Sequence, residues 1–177
     1  MNLEQLRISA QLHIGVAMEK PFARRYANEC ITQLCNLYPY TVMKRRKETL
    51  ENVARDTPVD LPADCYMLYK VKSHGDKYQD FEVFGNEITF ADGGTFELEY
   101  FKRPDPVNAE SDVPEIPEPF HPSISLFMGA REKFRLFGEE DVDSIRLMRE
   151  FAETSMLAND MRAKHGRRRI IQAPEWR

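Results

Sequence analysis

Over residues 1–37 apolar side chains recur at three- and four-residue steps, the spacing of one helix face. Leu3, Leu6, Ile8, Leu12 and Ile14 predict a first helix, capped by Asn2 and ending near Val16. Pro21 suits the first turn of a second helix, which Phe22, Tyr26, Cys30, Ile31, Leu34 and Cys35 carry to about Leu37, with Pro39 as its stop. The period then changes to two. Strands are expected around 48–54, over 65–72 and over 78–83, with SHGD as a turn. In FGNEITFADGGTFELEYFKRPDP, residues 84–106, Ile88 and Phe90 alternate with polar neighbours before Asp92-Gly93-Gly94. Phe96, Leu98 and Tyr100 alternate after it. Alternation on both sides of a glycine turn predicts a β-hairpin.

The stretch 103–122 holds six prolines, which excludes a helix interior or a central strand and predicts an extended connection. Pro122 opens a helix to about Phe137, with Ile124, Phe127, Met128, Phe134 and Phe137 as its core face. Gly138 stops it. The last helix spans 139–164, its early acids matched to the positive end of the helix dipole, and Gly166 ends it. The order predicts an α+β, mainly helical protein. A helical bundle from 1–42 and 120–165 carries a small antiparallel β insert over 46–103. A Pro-rich connection over 104–119 completes one domain, and an extended basic tail, 166–177, follows it.

Charge changes this picture at one end. The 177-residue chain has a net charge of −4, yet from Met161 onward six basic residues face only Glu175. That segment is +5, which leaves −9 on the preceding 160 residues. An acidic body with a basic tail points to different partners for the two parts. No run of eighteen apolar residues exists, so no membrane-spanning helix or membrane partner is expected. The first twenty residues lack the form of a secretory signal, and three scattered cysteines, Cys30, Cys35 and Cys65, fit a reducing compartment. A soluble intracellular product is expected.

Candidate chemistry is sparse. His13, His74, His121 and His165 do not sit at metal-ligand spacing with one another or with a cysteine. Cys30 and Cys35 read as core thiols, and Glu139, Glu140, Asp141 and Asp143 as helix-start acids. No phosphate-binding glycine motif occurs. The expectation is no enzyme, no catalytic residue, no cofactor and no metal. Lys44-Arg45-Arg46-Lys47 and Arg167-Arg168-Arg169 could neutralise phosphates, which keeps a nucleic-acid-binding accessory protein as an alternative. An enzyme with an unrecognised site is a third reading.

LPADCYMLYKV, FEVFGNEITF, DGGTFELEYFKRP, the acidic connection, IPEPFHPSISLFMGA and a final long helix, taken in order, resemble the head-to-tail adaptor (connector, neck) proteins of tailed bacteriophages. The landmarks are Leu61-Pro62-x-Asp64, the glycine turn leading to Leu98-x-Tyr100-x-x-x-Pro104, Ile116-Pro117 and Phe120-His121. The likeness runs from the second helix to about Ala158. It implies a non-enzymatic virion protein, assembled in the host bacterial cytoplasm. In that family twelve copies form a ring that docks on the portal and extends the DNA channel. The ring presents a platform for the next neck or tail protein. Genomic DNA would pass through without sequence-specific binding, past a lumen expected to be acidic or neutral.

On this reading the 84–106 hairpin docks neighbouring or tail proteins through Glu87, Thr89, Asp92, Gly93, Gly94 and Glu97. The tail departs from small adaptors that end soon after the last helix. Its Arg167, Arg168, Arg169, Ile170, Ile171 and Trp176 are expected to dock on the portal, because Trp and Arg dominate interface hot spots.

Overall fold

The computed structural model describes residues 1–168. Its helices are α1 (Leu3–Ile14), α2 (Lys20–Leu37), α3 (Pro39–Val42), α4 (His121–Phe137) and α5 (Val142–Arg168). Its strands are β1 (Arg45–Val53), β2 (Val59–Asp60), β3 (Cys65–Ser73), β4 (Asp76–Tyr78), β5 (Phe81–Phe84), β6 (Glu87–Phe90) and β7 (Gly94–Lys102). Two compact units result, one from Met1–Val42 with the chain from Pro104 onward, the other from Met43–Arg103.

In the helical unit every residue from 123 to 130 is buried. A helix reaches that state only when neighbours flank it on all sides, and α1, α2 and α5 all pack on α4. Gly129 lets them close in. A β-carbon there would stand 3.1 Å from Ile14 Cγ2 and 3.5 Å from Leu147 Cδ1. Helix α1 starts with a reciprocal cap in which Asn2 and Gln5 each accept the other's backbone N–H at 2.9 Å. It ends at Gly15, in the left-handed region at φ 68. Asp141 caps α5 by accepting the Ser144 N–H at 2.7 Å, so that helix starts three residues later than 139.

Several core positions expected from helical spacing lie outside. Leu12 is 81% exposed, and Ile8, Phe134 and Phe137 are exposed as well. Periodicity shows that a face exists, whereas the neighbours decide which face is covered. Gly166 does not end α5, which continues through Arg168; one helical glycine costs about 1 kcal/mol relative to alanine, too little to break 27 residues of helix. Over 104–119 the chain forms neither strand nor α-helix, but it is not extended throughout as expected, since it turns at 110–111 and enters a 3-10 turn at Glu118–Phe120. Side chains and backbone both hold it. The Asn28 amide donates to the Val107 carbonyl at 3.0 Å and accepts the Val107 N–H at 2.9 Å. Asp112 accepts the Leu3 N–H at 2.9 Å through its own carbonyl.

The sheet unit overturns the expected architecture. The protein is α+β with two antiparallel sheets, ordered β1-β7-β3-β4 and β2-β6-β5, in place of a mainly helical bundle with a small β insert. The stretch 84–106 is not a hairpin. Strand β6 pairs with β2 and β5, and β7 pairs with β1 and β3. Asp92-Gly93-Gly94 instead carries the chain from one sheet to the other. A side chain at Gly93 would meet the Val53 carbonyl oxygen at 3.2 Å. The sheets face each other, with the Phe90 and Phe96 rings stacked at 3.9 Å and 11° between planes. Ile88, Leu98, Val71 and Tyr100 fill the core around them. Alternation buries the same side chains whether two strands pair or face each other across a core, so the pattern could not separate these cases.

The tight hairpins lie elsewhere. Ser73 pairs with Asp76 around His74-Gly75, both at positive φ (52 and 86), as a type I′ turn requires. Phe84 pairs with Glu87 around Gly85-Asn86, with Gly85 at φ 60. The expected 78–83 strand is therefore split between β4 and β5, which belong to different sheets.

Phe96→Ala should cost about 3–5 kcal/mol through the cavity it leaves in the sheet core. Phe84→Ala, at a position 88% exposed, should change stability by less than about 0.5 kcal/mol. Urea denaturation midpoints of the two variants check this contrast.

Candidate functional site

Cross-strand partners in an antiparallel pair share a face of the sheet, so the register sorts every side chain of the sheet unit inward or outward. On the three-stranded sheet Val59, Phe81, Val83, Ile88 and Phe90 point to the core side. Asp60, Glu82, Phe84, Glu87 and Thr89 point away from it. Asp60, Glu82, Phe84 and Glu87 are all exposed. Asp60 lies directly opposite Glu87, and among the described residues none of the three carboxylates has an ion-pair partner.

The outer face of the four-stranded sheet has the opposite sign. Arg45, Lys47, Lys70, Lys72 and Lys77 line it together with Glu97 and Glu99, a net +3 against −3 on the other side. Lys72 donates to Glu97 at 3.1 Å and also to Glu99. Lys47 reaches the same two carboxylates at 3.2 and 3.3 Å. The hydrogen bond from Lys72 holds the Glu99 and Glu97 carboxyls below their ordinary range, and the Lys72 ammonium is raised in return by Glu99 first and Glu97 second. Arg45 lies over the Tyr69 ring at 4.2 Å. Lys70 and Lys77 have no ion-pair partner among the described residues, and Lys77 sits directly opposite Lys72.

The six residues expected to form one docking hairpin do not come together. Glu87 and Thr89 lie on β6, the middle strand of the smaller sheet. Asp92 is tied to the Tyr78 hydroxyl at 3.2 Å. Gly93 and Gly94 make the crossover, and Glu97 on β7 is committed to Lys47 and Lys72. Of the residues expected on the portal, Arg167 and Arg168 continue the α5 backbone, while Arg169, Ile170, Ile171 and Trp176 lie outside the described residues. Sequence reasoning missed Asp60, Glu82 and Phe84. The signal was present in FEVF, where Phe81 and Val83 alternate with Glu82 and Phe84, but both phases contain an aromatic ring.

The other candidates are held in structural contacts. Burial raises the Cys30 thiol and pushes Cys35 up to about 11. His121 is buried, with the Met1 ammonium 2.8 Å from Nδ1 and Nε2–H donating to the Ile116 carbonyl at 3.2 Å. Burial, and next the ammonium, lower its pKa. Asp143 pairs with Lys133 at 3.2 Å. Fully buried Glu132 takes two hydrogen bonds from Arg135, at 2.8 and 2.7 Å. Among the described residues no cluster of His, Cys, Asp or Glu is placed to hold a metal, and no helix is long and apolar enough to cross a membrane. Comparison with models of known families and with curated proteins finds no match to the chain.

The folded carboxyls of Glu97 and Glu99 sit below their unfolded values. Their contribution is therefore complete above the ordinary carboxylate range, near pH ~4.3, and fades as pH falls through the folded values. Lys72→Met should flatten that acid-side loss, read as a smaller drop in urea midpoint between neutral and acidic buffer than the wild-type chain shows.

Proposed function

We propose that the protein is a head-to-tail adaptor of a tailed bacteriophage: a non-enzymatic neck component that docks as a ring on the portal, extends the DNA channel and receives the next neck or tail protein. The observation that carries this reading is how the landmarks of the resemblance interlock. Asp64 of Leu61-Pro62-x-Asp64 accepts the Tyr100 hydroxyl at 2.8 Å, and its carbonyl accepts the Arg103 N–H, next to Pro104, at 2.8 Å. Residues 36 positions apart thus belong to one physical unit. Burial, followed by Asp64, raises the Tyr100 pKa and keeps the hydroxyl a donor. In the second group, Ile116 and His121 are hydrogen-bonded across Pro117-Glu118-Pro119-Phe120.

The sequence order that suggested the family therefore corresponds to two knots, one per unit: the first ties the entry of β3 to the end of β7, and the second closes the short turn before α4. Such knots fit a protein whose purpose is shape. The nucleic-acid alternative would use Lys44 to Lys47 together with Arg167 to Arg169; in the first cluster Arg46 faces Asp64 at 3.7 Å and Lys47 is held by Glu97 and Glu99.

The adaptor reading expects purified protein to co-sediment with portal rings, and deletion of residues 166–177 to abolish that attachment while leaving the melting temperature nearly unchanged. Failure of the full chain to bind portal at any concentration removes the adaptor reading. Attachment by the truncated chain at the normal level removes the tail as the portal contact.

A further inference from the structure

We infer that the two outer faces of the sheet unit dock on each other between copies, the acidic face of one against the basic face of the next. The acidic face carries Asp60, Glu82 and Glu87 around Phe84, and its three strands hold no lysine or arginine. The basic face carries five cations against Glu97 and Glu99. The two sheets share one core, so these surfaces look away from each other and cannot neutralise each other within one copy. Each pays for its crowding: Asp60 opposite Glu87 and Lys77 opposite Lys72 are like charges directly across a ladder, an arrangement that destabilises a sheet. A second copy relieves both pairs at once.

Shape agrees with charge. Phe84 is 88% exposed and stands at the end of β5, whose outer edge has no strand partner. The basic face holds a depression of about 400 Å³ lined by Lys47, Thr49, Lys72, His74, Gly75 and Thr95, with Glu97, where the ring of a neighbouring copy can sit against lysine stems. Unlike faces meeting head to tail make a heterologous contact, which closes into a ring when the rotation permits and otherwise grows as a filament. The contact specifies how copies meet in the proposed adaptor ring and to that extent rests on that reading. It also turns the basic face toward a neighbour and away from the passing DNA.

The test uses the full chain without portal. Glu82→Lys with Glu87→Lys makes both outer faces basic, and Lys70→Glu with Lys77→Glu makes both acidic. In sedimentation velocity at low salt the wild-type chain should self-associate with rising concentration, and added salt should weaken this about tenfold. Each double variant alone should sediment as a monomer. Their equimolar mixture should associate again, which also shows that both are folded. A wild-type chain monomeric throughout, variants that associate like wild type, or a mixture that stays monomeric overturns the contact. If self-association fails while portal binding persists, only this contact falls; if portal binding fails while self-association persists, only the adaptor reading falls.

Discussion

The stack of Phe90 on Phe96 is the constraint from which the sheet unit follows. Two strands joined by three residues would ordinarily pair edge to edge. Here their aromatic rings meet face to face, so β6 and β7 must enter different sheets. Once the two inner faces are committed to a core, most charged side chains on these strands fall on one of two outer surfaces. Arg46 and Glu48, opposite Tyr100 and Leu98, share the inner side at the margin of β1, and Lys102 is buried at the end of β7. Burying an unpaired carboxylate or ammonium costs far more than a sheet can recover from its ladder. The sign of each surface then depends only on which strands supply it. Strands β2, β5 and β6 carry acids at their outward positions, whereas β1, β3 and β4 carry lysine and arginine.

A different economy governs the helical unit. There a single helix, α4, is enclosed by three others, and its small residues set the spacing. Ser123, Ser125, Gly129 and Ala130 are all buried, which brings neighbouring backbones close and leaves the larger side chains, Ile124, Phe127 and Met128, to fill the gaps. The extended segment before α4 has almost no regular hydrogen bonding of its own. It depends on Asn28, Asp112 and His121 to satisfy its peptide groups.

What the sequence made legible was local. Helix existence, the stop at Gly138 and the alternation of Ile88, Phe90, Phe96, Leu98 and Tyr100 came through because each depends on residues a few positions apart. Gly166, by contrast, does not end α5, and the 78–83 segment is split between two sheets. Pairing did not come through. FGNEITF and GTFELEY read the same whether they bond to each other or face each other, and only residues 45–53 and 65–73, competing for β7, decide the outcome. Coverage was hidden for a similar reason: Leu12 and Phe137 fit a helical stripe, yet both are exposed, and over the Phe137 ring lies the Lys133 ammonium at 4.8 Å. The outer faces were hidden too, because a face gathers residues from three or four strands and no short motif spells it. Glu97 illustrates the limit. As a letter it is an exposed hairpin acid; in the fold it is the shared acceptor of two lysines.

The first and last strands of the sheet unit lie side by side, with Arg45 opposite Phe101 and the Lys44 carbonyl accepting the Lys102 N–H at 2.8 Å. The sheet unit is continuous in the chain, whereas the helical unit is interrupted by it. Synthesis therefore completes the sheet unit before the helical one. Helices α1 and α2 emerge first but have no α4 to enclose, so their apolar stripes must wait. Strand β7, the last of the sheet unit to emerge, joins β1 to β3 and closes a loop of roughly sixty residues, at an entropic cost of a few kcal/mol. When α4 leaves the ribosome, its partners are tethered at the point where the chain re-enters their unit. Closing the sheet unit thus brings the chain ends that flank it side by side, which shortens the effective separation between α2 and α4.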